Sequence, residues 1–203
     1  MEKTKIQLSA DELQLMRNSE WILTKNSIIE KIIVGLGEIA GELQQYLILC
    51  QPLIDEEILL VSPKISRGEK YQGLPYVILD YPRIFGKEDI LAIRVLFWWG
   101  NFCSITLHVK GKWQPLLTRK ILSEFDKLQA TGFYISFSGD EWTHNLLDDE
   151  YKHFQPLIGQ ELAEKLPGSN FLKLAAKIEI DTWEIMKTDF FDAYVTLVAL
   201  LKA

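Results

Sequence analysis

The stretch LAIRVLFWWGNFCSITLHV, residues 91–109, decides the fold. It is rich in β-branched and aromatic residues and is interrupted at Gly100-Asn101, the pattern of a β-hairpin. A two-residue Gly-Asn turn would set Trp99 opposite Phe102 and Ile93 opposite His108, mixing apolar and polar positions on both faces. A three-residue loop, Gly100 to Phe102, sets Trp99 opposite Cys103 instead. One face then carries Ile93, Val95, Phe97, Trp99, Cys103, Ile105, Leu107 and Val109. The other carries Ala92, Arg94, Leu96, Trp98, Ser104, Thr106, His108 and Lys110. A one-residue slip would carry a whole strand to the wrong face, so the odd loop or an equivalent bulge is expected. In that register Arg94 lies directly opposite His108.

Upstream, Ser9 and Glu12 form an S-x-x-E capping box, with Leu8 and Leu13 placed as a hydrophobic staple. A first helix should run from there toward Thr24. Ser27 and Glu30 repeat the signature, and Ile29, Ile32, Ile33, Leu36, Ile39, Leu43 and Leu47 recur at three-and-four spacing. That is a long amphipathic helix closed before Pro52. Ile58 to Val61 reads as a short strand, Ser62 to Pro75 as a basic loop, and Tyr76 to Tyr81 as a strand ended by Pro82.

Downstream, Leu116 to Leu128 reads as a helix, Phe133 to Ser138 as a strand, and Asp140 to Phe154 as a polar loop or short helix. A helix is expected from Pro156 to Leu166. Leu172, Leu174, Ala176, Ile178 and Ile180 alternate against Lys173, Lys177 and Glu179 as a one-sided strand. A final helix carries Phe191, Tyr194, Leu197, Val198 and Leu201, with Asp181 and Glu184 as its capping pair. The order predicts an α+β fold: a mainly antiparallel sheet of about five strands with helices mostly on one face. One domain spans 1–203, with a helical pair at 1–51, the sheet with inserted helices at 52–180, and the C-terminal helix at 181–203.

Composition narrows the function classes. The apolar fraction is 48% and the charged fraction 25% in 203 residues, which excludes a disordered chain. Cys50 and Cys103 are too few for a disulfide scaffold. No apolar leader is evident in Met1 to Asp11. The Ile28–Cys50 stretch carries Glu30, Lys31, Glu38 and Glu42, against the roughly 20 apolar residues a membrane span needs. The expectation is a cytoplasmic protein with no membrane partner. The net charge of −6 argues against nucleic acid as a partner. That charge is unevenly spread: residues 64–119 hold 9 basic and 4 acidic groups, whereas both flanks are acidic. The basic segment is also aromatic, with Tyr71, Tyr76, Tyr81, Phe85, Trp98, Trp99 and Trp113.

No motif for a cofactor, nucleotide or catalytic nucleophile occurs, so catalysis is not the favoured reading. Gly35-Leu-Gly-Glu-Ile-Ala-Gly41 lies inside a helical pattern rather than after a strand, so its small residues point to a close approach between helices. No G-x-S-x-G elbow is present. Cys103 and Cys50 fall on apolar faces, where thiols are inert. Asp140, Glu141, His144, Asp148, Asp149, Glu150 and His153 could ligate a metal if helical, through two Glu-x-x-His pairs, but a solvated acidic turn is the simpler reading.

Two surfaces remain. Lys64, Arg67 and Lys70 could engage an acidic partner or the chain's own acidic helices. Arg94 and His108, flanked by Trp98, Ser104 and Thr106 and walled by Tyr76, could hold a small anionic ligand with an apolar body. The sequence thus favours a binding or interaction module with its contact region at 64–119, taking a protein partner or a second copy of itself. The alternatives are a small-ligand pocket protein or divergent enzyme on the Arg94/His108 face, and an acidic neutraliser of a basic protein.

Overall fold

The structure, a computed structural model, describes residues 6–155 and 159–202. Its centre is one antiparallel sheet of β1 (Lys64–Tyr71), β2 (Leu74–Phe85), β3 (Ile90–Trp98), β4 (Cys103–Lys110), β5 (Tyr134–Ser136), β6 (Tyr151–His153) and β7 (Phe171–Ile178). The spatial order is β1-β2-β3-β4-β7-β5-β6. The helices are α1 (Ala10–Arg17), α2 (Ser19–Leu49), α3 (Glu56–Leu59), α4 (Gln114–Ser123), α5 (Phe125–Ala130), α6 (Gly159–Lys165) and α7 (Trp183–Leu201). The α+β architecture is as expected, but the sheet has seven strands rather than about five.

The extra strands have local causes. The basic stretch after Ser62 is not a loop, because Gln72 and Gly73 both adopt positive φ (48° and 83°). That is the requirement of a two-residue turn matching strand twist, and it folds β1 back onto β2. β6 emerges from the end of the polar 140–154 stretch, pairing Tyr151 with Ser136 and His153 with Tyr134. Ile58 to Val61, by contrast, is no strand. Asp55 caps the short α3 there by accepting from the Glu57 N–H at 2.9 Å.

Pro82 does not end β2. Asp80 pairs with Arg94 and Arg83 with Ala92, so Tyr81 and Pro82 together face a single partner residue. A bulge is where a sheet tolerates a proline, which has no N–H to give the ladder. The extra residue flips the parity: Val77, Leu79 and Tyr81 enter the main core before it, and Ile84 packs there after it.

The hairpin keeps the expected faces and shifts its register by two. Phe97 opposes Cys103, Arg94 opposes Thr106, and His108 opposes Ala92, so Arg94 and His108 are not cross-strand partners. The Trp98 N–H donates to the Phe102 carbonyl at 3.1 Å and the Asn101 N–H to the Trp98 carbonyl at 3.1 Å, so the loop still has three residues but spans Trp99 to Asn101, one position earlier than expected. A two-residue shift preserves parity. Ile93, Val95, Phe97, Cys103, Ile105, Leu107 and Val109 accordingly form one core with α2, α4 and α7, joined by Leu172, Leu174, Ala176 and Ile178 of β7.

On the helical side, the Ser9–Glu12 capping box forms with both reciprocal hydrogen bonds. The first break falls at Asn18, not near Thr24, because Asn18 accepts from the Trp21 N–H and starts α2, which runs through Ser27 without interruption. Thr182, not Asp181, occupies the cap position of α7. The expected helix start at Pro156 lies outside the described residues. Length and composition alone would let α2 cross a membrane: one 18-residue window has mean hydropathy 1.3. Here its Ile29, Leu36, Ile39, Leu43 and Leu47 stripe is buried in the main core.

Truncation in that core should cost the transfer free energy plus a cavity. Leu107→Ala, at a fully buried position of β4, should lose about 2–5 kcal/mol. Urea unfolding should show a lowered midpoint with an unchanged slope.

Candidate functional site

The second face of the sheet is neither solvated nor open. A segment of residues 137–150, here called the strap, lies over it. An apolar half, with Ile78, Leu96, Trp98, Phe102, Leu146, Tyr151 and Ala175, is buried beneath it. Beside this half sits a buried polar cluster of Asp80, Ser104, Thr106, His108, His144 and Lys173. Each sheet residue in it follows from strand parity, which turns Asp80, Arg94, Thr106, His108 and Lys173 to the face opposite the main core.

The cluster is organised around two basic side chains, Arg94 and Lys173. Arg94 donates from Nε to Asp80 Oδ1 at 2.7 Å and from Nη2 to Asp80 Oδ2 at 3.0 Å, a bidentate pair. Its Nη1 lies 2.9 Å from Nε2 of His144. Lys173, with no solvent exposure, donates to the carbonyls of Glu141 (3.2 Å) and Thr143, and lies 3.4 Å from Nδ1 of His144. The strap is further tied by the His144 N–H donating to Tyr71 Oη at 2.7 Å and by Tyr151 Oη donating to the Thr143 carbonyl at 2.9 Å. Lys110 Nζ reaches Glu141 Oε1 at 3.0 Å. His108 Nε2 and Glu141 Oε2 approach to 3.3 Å without hydrogen-bond geometry, and neither atom has another partner among the described residues.

These surroundings act on the basic groups in one direction. Burial, reinforced by the Lys173 charge, lowers His108 to about 4, and His144 is driven down by burial with Lys173 and Arg94 beside it. Burial, with Arg94 next, lowers Lys173 to about 7. On the other face, burial pushes the Cys103 thiol up to about 12, so it is no nucleophile.

The sequence-nominated residues divide accordingly. Arg94, Trp98, Ser104, Thr106 and His108 do share one face, but the strap closes it. Tyr76 stands edge-on to Tyr71 at 6.2 Å rather than walling an open pocket. Arg67 pairs with Glu30 of α2, while Lys64 and Lys70 are exposed on the edge strand β1. The acidic strap is not helical, and among the described residues no group of carboxylates, histidines and cysteines could hold a metal. The sequence did not nominate Asp80 or Lys173 for this site, and named Tyr71 only among the aromatics of the basic segment. Their parity was readable, but nothing in it announced that a strap would cover them.

The open concavity lies elsewhere. A largely apolar cleft of about 1030 Å3 runs between α2, the β3–β4 turn and the start of α7. Ile28, Ile32, Val34, Trp99, Ile180 and Trp183 line it, with Glu30, Lys31, Glu38 and Asp181 among its polar groups. Gly35 is small for a stated reason: a Cβ there would come within 2.2 Å of the Trp183 indole. Gly37 and Gly41 face no such neighbour. Trp21, early in α2, meets Trp99 edge-on at 6.3 Å, extending the apolar surface toward α1. No protein-family model, curated protein or solved structure matches this chain.

Two outcomes follow from the polar cluster. Arg94→Met leaves Asp80 buried without its cation and should cost about 3–5 kcal/mol, whereas the double variant Asp80→Leu with Arg94→Met should recover most of that in thermal unfolding. Acid should also destabilise the fold. Between pH 6.5 and about 4 the unfolded His108 binds a proton that the folded one refuses, so stability falls as pH falls through that window. The slope should reach about 1.4 kcal/mol per pH unit for this histidine and be reduced in His108→Gln.

Proposed function

We propose that this chain is a non-catalytic binding module that receives an apolar helical segment of a partner protein in the α2–α7 cleft. The observation that carries the reading is the cleft itself, an open apolar concavity bordered by two tryptophans. Tryptophans are common anchors of protein interfaces. Trp99 is the contribution of the basic, aromatic 64–119 segment; Tyr81, Phe97 and Trp98 of that segment are buried. Leu15, Met16, Ile22 and Leu23 of α1 and early α2 are also exposed, more apolar side chain than a solvated helix needs.

Charge defines the partner. With Glu30 already engaged by Arg67, Glu38 and Asp181 still outnumber Lys31 in the cleft lining, and the chain as a whole carries −6. A segment with a basic flank would complement that lining, which absorbs the alternative of a protein that neutralises a basic partner. The alternative of a small anion on the Arg94/His108 face has weaker support, because Asp80 already takes the Arg94 charge. Free, buried Cys50 and Cys103 fit a reducing compartment, and we place the module's action in the cytoplasm on that ground.

The test uses a synthetic amphipathic Leu/Lys helix as probe, followed by tryptophan fluorescence. The wild type should bind it, less tightly at high salt, and Val34→Lys should weaken binding by about tenfold or more. Val34 is 64% exposed, so the variant should keep its stability within about 0.5 kcal/mol. Equal binding by both proteins, or equal binding of a Leu/Glu helix, would overturn the reading. A dimer in light scattering that Val34→Lys dissociates would put a second copy of the chain in the cleft instead.

A further inference from the structure

The contacts of His144 constrain which groups carry protons. A guanidinium only donates, and Arg94 Nη1 lies 2.9 Å from His144 Nε2, so Nε2 must be the accepting, unprotonated nitrogen. The ring is therefore neutral with its proton on Nδ1, facing Lys173 Nζ at 3.4 Å. An ammonium has three donors and no lone pair, so it would meet that N–H donor to donor. A neutral amine has two N–H donors and one lone pair. The Nζ of Lys173 has two carbonyl acceptors, from Glu141 and Thr143, and the one imidazole donor. Among these three hydrogen-bond partners, the counts match the uncharged amine.

We propose that Lys173 and His144 form a proton-operated latch, which holds the strap down while both are uncharged and releases it when the pair takes up one proton. The proton enters at Nζ of Lys173, because Arg94 already occupies Nε2 of His144. There it removes the acceptor for Nδ1–H. That leaves like donors facing each other in a buried site.

Every neighbouring element contributes to the balance. Arg94 on β3 opposes a charge on Lys173, while Asp140 and Glu141 of the strap favour one. Asp80 on β2 is engaged by Arg94, and Lys110 on β4 shares Glu141. His108 on β4 sits directly opposite Lys173 in the sheet, and Tyr71 on β1 and Tyr151 on β6 contribute hydroxyls to the strap's backbone. Lys173 is thus held between the Arg94 guanidinium and the acidic side chains of Asp140 and Glu141. Release would uncover Trp98, Ser104, His108 and the Asp80–Arg94 pair, a face of mixed apolar and charged character distinct from the α2–α7 cleft.

The experiment is hydrogen exchange on the full chain, read as protection factors so that the intrinsic pH dependence cancels. Between pH 8 and pH 6 the protection of residues 137–150 should fall about tenfold while β3 and β4 hold theirs. Lys173→Met, which cannot take the proton, should remove that pH dependence. Tyr71→Phe, which deletes a strap contact without changing a charge at these pH values, should lower protection equally at both. Constant protection of the strap in the wild type would overturn the latch, and needs no variant to fold. So would a loss in Lys173→Met that parallels the wild type.

Discussion

The constraint on which this structure turns is the placement of charge on the inside of a sheet. β4 and β7 are interior strands, paired on both edges, and they carry His108 and Lys173 side by side on the face opposite the main core. β2 and β3 add Asp80 and Arg94 to the same face. Sheet hydrogen bonding uses up the local backbone, so these side chains must find partners from outside the ladder or remain in water. Desolvating such groups without partners would cost several kcal/mol each. The strap supplies what the sheet cannot: two carbonyls, an imidazole and a carboxylate, all from residues 141–144.

This arrangement separates two kinds of surface. The main core, with α2, α4 and α7 against the odd-numbered positions of β3 and β4, supplies the apolar burial. The strapped face holds polar groups, of which Asp80, Arg94 and Lys173 are partnered while Ser104 Oγ and His108 Nε2 have no hydrogen-bond partner among the described residues. The open cleft sits at the end of the main core, where Gly35 admits Trp183 and the α2 helix continues past the sheet. Binding at the cleft and proton uptake at the latch would therefore act on different elements of the same sheet, joined through β3, which carries Phe97 toward the cleft and Arg94 toward the strap.

Much of the fold was legible because parity is a strong signal. The assignment of faces in residues 91–109 survives intact, and so does the apolar row of β7. What failed were features set by single backbone contacts. The hairpin register moved by two because the Trp98 N–H found the Phe102 carbonyl, which puts the three-residue loop at Trp99 to Asn101. β1 was hidden because Gln72 adopts a positive φ that its side chain does not advertise. β2 continued through Pro82 because a bulge absorbed it. The candidate site was half legible: Arg94 and His108 were placed on one face, but their seclusion depends on a covering segment whose polar composition reads as solvated. Lys173 looked like the wet side of a one-sided strand for the same reason.

The charge state of Lys173 is the most direct test of this account. Nitrogen-15 NMR of its Nζ and of the His144 ring, at pH 8 in the intact protein, reads both groups at once. The account predicts a neutral amine at Nζ and an imidazole protonated on Nδ1 alone. An ammonium at Nζ, or a proton on Nε2 of His144, would contradict it.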